Sequence, residues 1–141
     1  MSYPQTMARD TYTERLGKTL EQLEGSTHPA TAGATTLVQR CQALRKKPLG
    51  QMTAEDLRIQ LGQRLELSYL LPVALALLER EPLAAGDYYR GDLLGTVLRI
   101  EPEFWRRNVE LHKRVLAIVD ALPERPEEIA DELAEFAREL A

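Results

Sequence analysis

Few residues in this chain are of a type that does chemistry: one cysteine, Cys41, and two histidines, His28 and His112. A nucleophilic thiol needs an imidazole nearby and an exposed, electropositive setting. Cys41 instead shares a helical face with Leu37 and Leu44, the position of a small buried hydrophobe. His28 falls in a run of small residues that reads as a surface loop, and His112 lies beside an apolar stripe one turn before Leu116. Solvated loop and edge of core explain the two. A lone cysteine and two isolated histidines give no zinc spacing, and no glycine-rich phosphate loop precedes a helix. Asp87 and Asp92 remain as a candidate carboxylate pair for acid and base work, yet turn formation and helix capping account for both. The spacing therefore points to no catalytic residue, no metal ligand and no cofactor site.

The elements that hold these residues are all helical. A length of 141 residues suits one domain, with residues 1–10 as a flexible leader and residues 11–141 as a single α-helical unit. Strand-like alternation is absent, and the expectation is an all-α fold of roughly six to eight helices around a central apolar helix. That central element is LSYLLPVALALL, from Leu67 to Leu78, which holds seven Leu or Val residues and no charge. Burying each is worth roughly 1.5 to 3 kcal/mol. Pro72 suits the first turn of a helix that begins near Tyr69.

Around it, Thr11-x-x-Glu14 can form a capping box, and Tyr12, Leu16, Leu20 and Leu23 recur at helical spacing until Gly25. Ser26 to Thr35 is a loop rich in small residues. Arg45, Lys46 and Lys47 fall in the last turn of the Leu37 helix, where cations complement the dipole, and Pro48 stops it. Thr53 is a good N-cap with Asp56 three residues on and Met52 and Leu57 placed for a hydrophobic staple. Leu57 and Leu61 face inward on that short helix. Asp92 can cap the helix of Leu93, Leu94, Val97 and Leu98. Phe104 and Trp105 lock the middle, with the indole N–H in need of a partner. Leu111, Val115, Ile118, Val119 and Leu122 form one stripe, with Glu110 and Arg114 paired outside it. Pro126 starts the last helix, whose buried stripe is Ile129, Leu133, Phe136, Ala137 and Leu140.

The formal net charge is −4. From Pro123 to the end, seven acids face two arginines, which reads either as an ordinary solvated helix face or as a face that would steer a basic partner and repel nucleic acid. Two adjacent short helices, 37–47 and 54–61, mimic a helix-turn-helix. The second, however, carries Glu55 and Asp56 where a recognition helix meets phosphates, so nucleic acid is not an expected partner. The N-terminus, MSYPQTMARD, has no apolar signal core, and the uncharged run between Glu66 and Glu79 is far short of the roughly 20 residues a membrane helix needs. The expectation is a soluble, cytoplasmic chain.

From Arg45 to Trp105 the chain resembles the immunity proteins of contact-dependent growth inhibition (CDI) systems. The resemblance rests on an ordered set: RKKPL (Arg45 to Leu49), EDLRIQLGQ (Glu55 to Gln63), YLLPVAL (Tyr69 to Leu75), EPLAAGDYYRGDLL (Glu81 to Leu94) and Phe104-Trp105. LEQLEG (Leu20 to Gly25) is similar to the family's N-terminal helix. The resemblance implies a small cytosolic protein, not an enzyme, that binds and blocks the C-terminal toxin domain delivered by a neighbouring bacterium. Such toxins are commonly nucleases, which makes a ribonuclease with a basic cleft the favoured partner. Glu128, Asp131, Glu132, Glu135 and Glu139 on the last helix are the expected contacts, with Tyr88 and Tyr89 secondary. Scaffold is the alternative role for the tyrosine loop. The competing functional expectations are a helical adaptor or regulator with another protein partner and, more remotely, an enzyme using the Gly-Asp loop. Sequence leaves the oligomeric state open.

Overall fold

The computed structural model describes residues 11–25 and 35–140. The leader (1–10), most of the small-residue loop with His28 (26–34) and the side chain of Leu140 lie outside the described residues. The described chain is all-α, with nine α-helices, two short 3-10 turns and no strand among the described residues. It divides into two compact units, Met1–Met52 and Thr53–Ala141.

In the first unit, α1 (Tyr12–Leu16) and α2 (Leu20–Glu24) replace the one continuous helix that the spacing of leucines suggests. Thr19 breaks it by building a second capping box: its hydroxyl accepts the Gln22 N–H at 3.1 Å while the Gln22 side chain accepts the Thr19 N–H at 2.9 Å. Each such cap is worth about 1 kcal/mol, enough to restart a helix. Gly25 ends α2 at φ 71°. α3 (Thr36–Leu44) buries Cys41 and Leu44, whereas Leu37 stands 44% exposed, so only the C-terminal half of the expected face is core. Arg45 lies past the last turn, buried and paired with Glu24, and Lys46 pairs with Glu21 at 3.4 Å. Arg45 and Lys46 thus bind acids of α2. A 3-10 turn (Leu49–Gln51) follows and buries Leu49.

The second unit contains the long apolar helix. The Thr53–Asp56 capping box forms as its sequence indicates and opens α4 (Ala54–Gly62), with Leu57, Ile59 and Leu61 buried. α5 (Leu67–Arg80) begins two residues earlier than Pro72 as a first-turn residue requires. Pro72 therefore sits in the second turn, and the Ser68 carbonyl loses the N–H it would receive four residues on. Ser68 is exposed, so water can serve instead. α5 buries Leu70, Leu71, Val73, Ala74, Leu75 and Leu78 and packs on α4, on α6 (Asp92–Leu98) and on α8 (Val109–Asp120). All seven residues of α6 are buried.

α7 (Pro102–Arg107) brings in Trp105, fully buried, whose indole donates to the Ile100 carbonyl at 3.2 Å. Phe104, His112 and Phe136 surround it with ring centroids 5.4 to 6.1 Å away. On α8, Arg114 is not paired with Glu110. It forms a bidentate pair with Glu79 of α5 at 2.9 Å, and Glu110 meets Lys113 at 3.4 Å. A 3-10 turn (Glu127–Ile129) after Pro126 then leads into α9 (Ala130–Leu140). Ile129, Leu133 and Phe136 are buried, but Ala137 is exposed because it falls outside that stripe.

Candidate partner-binding surface

Two features of the second unit collect the expected contact residues. The first is the outer face of α9. Ile129, at the end of the turn before it, and Leu133 and Phe136 on it are buried and recur four and three residues apart, which turns the intervening acids outward. Glu128, Asp131, Glu135 and Glu139 are exposed, and Glu132 is half-buried. Asp131, Glu135 and Glu139 are each four residues apart, so their carboxylates step along the helix by about 6 Å.

A groove of about 600 Å³ runs beside this face, with Asp131, Glu132, Glu135, Phe136 and Glu139 on one wall. The other wall is Arg64 and the segment 98–102. Arg99 crosses it to Glu132 at 2.9 Å and also reaches the Thr96 hydroxyl at 3.3 Å. Glu135 is engaged by Arg138. Asp131 and Glu139 have no cationic partner among the described residues. Glu128 lies outside the groove.

Sequence spacing does not foretell the role of Arg64. It adopts φ 58°, and Glu66 follows at φ 43°, left-handed conformations that L residues seldom hold. This turn lets the Arg64 guanidinium donate to the Leu61 carbonyl at 3.0 Å and the Arg99 carbonyl at 2.8 Å, with Glu101 3.8 Å away. That wall of the groove is held in shape by those bonds.

The second feature is the loop between α5 and α6. Asp92 does not cap α6, because Gly91, at φ 91°, occupies the cap position and Asp92 is the first helical residue. Its buried carboxylate turns back on the loop instead. It accepts the N–H groups of Gly86 at 2.6 Å, Tyr88 at 3.0 Å and Tyr89 at 3.4 Å. Glu55, in the first turn of α4, accepts the Asp87 N–H at 2.8 Å and binds Arg58 through two bonds of 2.7 and 2.6 Å. Arg58 lies 3.9 Å from Asp92 and stacks under the Tyr88 ring, 4.2 Å from its centroid. The Glu55 hydrogen bonds hold the guanidinium still more firmly protonated than usual.

Asp92 thus belongs to the loop's frame and Asp87 is exposed. The carboxylate that approaches Asp92 is Glu55, 37 residues earlier, with Arg58 between them. Glu55 and Asp56 are buried, so neither faces outward as a recognition helix would require. Of the tyrosines, Tyr88 is 71% exposed while Tyr89 is half-buried.

Neither feature assembles catalytic groups. Cys41 is buried, and burial pushes its thiol up against the smaller opposing effect of Arg40, which disfavours the thiolate a nucleophile needs. His112 packs 5.7 Å from Phe136. Among the described residues no group of three or more His, Cys, Asp or Glu side chains is placed to hold a metal ion, and no helix is long and apolar enough to cross a membrane.

The notable surface of this helical chain is thus an acidic groove wall and a braced aromatic loop. The family model of the CDI immunity proteins matches residues 14–115, most of the chain, and the chain belongs to that family. It is an immunity protein, of the kind that neutralises a CDI toxin. No match was found among curated proteins. The matched residues include the Glu55–Arg58–Asp92 cluster and the tyrosine loop, whereas α9 and its acids lie beyond them.

Proposed function

We propose that this immunity protein acts in the cytoplasm as a stoichiometric inhibitor, not a catalyst, of the C-terminal toxin domain of its cognate CDI system. The toxin is a nuclease, with a ribonuclease favoured, and the outer face of α9 occludes its active site. The observation that carries this reading is the column Asp131, Glu135 and Glu139, exposed beside the groove at about 6 Å intervals. A cleft built to hold phosphates is lined with cations, and a row of carboxylates gains both association rate and orientation from it. Glu128 and Glu132 extend the face, and Tyr88 and Tyr89 are secondary contacts. Nucleic acid is repelled by the same charge and is not a partner.

The test is co-purification with the toxin domain encoded beside this gene, then assay of the toxin's nuclease activity against increasing immunity protein. Activity should fall to zero at a one-to-one ratio. Replacing Asp131, Glu135 and Glu139 with lysine should slow association at least tenfold at low salt and flatten its salt dependence. Unchanged association would remove α9 from the interface. A toxin that stays active at saturation would reject the inhibitor reading and favour an adaptor with another protein partner.

A further inference from the structure

We infer that Tyr88 is a preorganised anchor seated in an apolar pocket of the toxin surface, and that Arg58 is the residue that positions it. This rests on the toxin-inhibitor reading and adds a second point of attachment with its own supporting frame. Tyr88 is the most exposed of the large apolar side chains among the described residues, at 71%. Exposure alone is ordinary. What sets this ring apart is the apparatus beneath it.

One ring face lies on the Arg58 guanidinium. Arg58 is in turn gripped at two points by Glu55, which also holds the Asp87 N–H, and the buried Asp92 carboxylate holds three more N–H groups of the same loop. At Gly86 a Cβ would fall inside contact distance of Glu55 Oε1 and crowd Asp92 Oδ2, so the loop is pressed directly onto the two carboxylates. Desolvating two acids and an arginine costs more than filling the space with leucines. The arrangement's return is one fixed loop geometry, which spares the entropy of ordering a flexible loop on binding. Tyrosine is among the residues most enriched where interfaces concentrate their energy, since it buries a large ring and keeps a polar tip. Tyr89, half-buried, contributes more to the frame and less to the contact.

The local charge selects the partner's class. Glu55 and Asp92 oppose Arg58, Asp87 is exposed beside the ring, and Arg90 is paired with Glu124 at 2.7 Å. The described cations at the ring are thus engaged by carboxylates, Arg58 by Glu55 and Arg90 by Glu124, so a nucleobase stacked on Tyr88 would have to displace an ion pair to gain the backbone contact that single-strand binders use. A protein pocket with apolar walls and one polar group for the phenol fits.

The experiment measures binding kinetics of the full chain with the toxin domain encoded beside its gene. Y88A should melt like the unaltered chain and bind roughly thirtyfold or more weakly, mainly through faster dissociation. Y89A should melt earlier and lose far less affinity than Y88A. R58M should weaken binding, and that loss should vanish in the Y88A background, because Arg58 acts only through the ring. If R58M does not fold, R58K, which keeps the charge but not the flat stacking face, carries the same cycle. An equal loss from the Arg58 variant in both backgrounds overturns its positioning role. A Y88A chain that binds as tightly as the unaltered one overturns the anchor and leaves the inhibitor reading standing. No binding by the unaltered chain overturns both. A single-stranded oligonucleotide bound by the unaltered chain but not by Y88A would reassign the ring to nucleic acid.

Discussion

Gln60 is fully buried on α4, yet neither its amide oxygen nor its amide nitrogen has a hydrogen-bond partner among the described residues. A buried amide left unsatisfied costs about 1 to 3 kcal/mol. Gln60→Met, close in volume and without the polar atoms, should therefore raise the melting temperature, by about 3 to 5 °C for each kcal/mol recovered. A thermal melt that falls instead would mean that a bound water satisfies the amide. This residue was not legible as core, because glutamine between Ile59 and Leu61 reads as the polar side of a helix. The same limit hid Arg58 and Glu55, whose importance depends on a loop 32 residues away from Glu55 in the chain. Pairing along one helix was equally misleading for Arg114: Glu110 is near in sequence, but Glu79 offers two oxygens to the guanidinium fork.

Helices themselves could be read where both their ends and their stripes are local. The Thr53–Asp56 box and the apolar run of α5 are set by residues three or four apart, and both stand in the structure. Thr19 shows where this fails, since leucine spacing continues through a cap that interrupts the backbone. α9 was legible for the converse reason, as its acids and apolar residues alternate at the helical period. Its outer face places like charges four residues apart, which weakens a helix by about 0.2 to 0.5 kcal/mol per pair. Neutralising Glu139 as Gln, in the last turn where a negative charge also opposes the helix dipole, should thus raise the melting temperature slightly while slowing toxin association. Parallel melts and association rates check the opposite signs. If both fell together, the acid would be supporting the fold.

Across the whole chain, acid should act through at least one identifiable pair. The Arg114 hydrogen bonds hold the Glu79 carboxyl below its ordinary value of 4.5, with partial desolvation opposing them. The unfolded chain therefore binds this proton more readily than the folded one. The pair's stabilisation is complete above about pH 4.5 and is lost as pH falls through the lower folded value. Glu79→Gln should accordingly be less stable than the unaltered chain at neutral pH, and the gap should close as the solution is acidified. Denaturant titrations across that range measure it, and a gap that persists in acid would mean that packing, not charge, links the two helices. The family match covers residues 14–115, and the long apolar helix and the tyrosine loop within it were visible as motifs, while the groove was not, because it needs Arg64 in a backbone conformation that arginine rarely adopts. The last helix divides its residues: Ile129 of the preceding turn with Leu133 and Phe136 keep α9 seated, Glu132 ties it to Arg99, and the exposed Asp131 and Glu139 take part in neither. Such a helix can be rewritten on its outer side, one letter at a time, without first endangering the scaffold. A lineage facing a changed toxin would have there a strip of sequence in which new specificities can be tried at little risk.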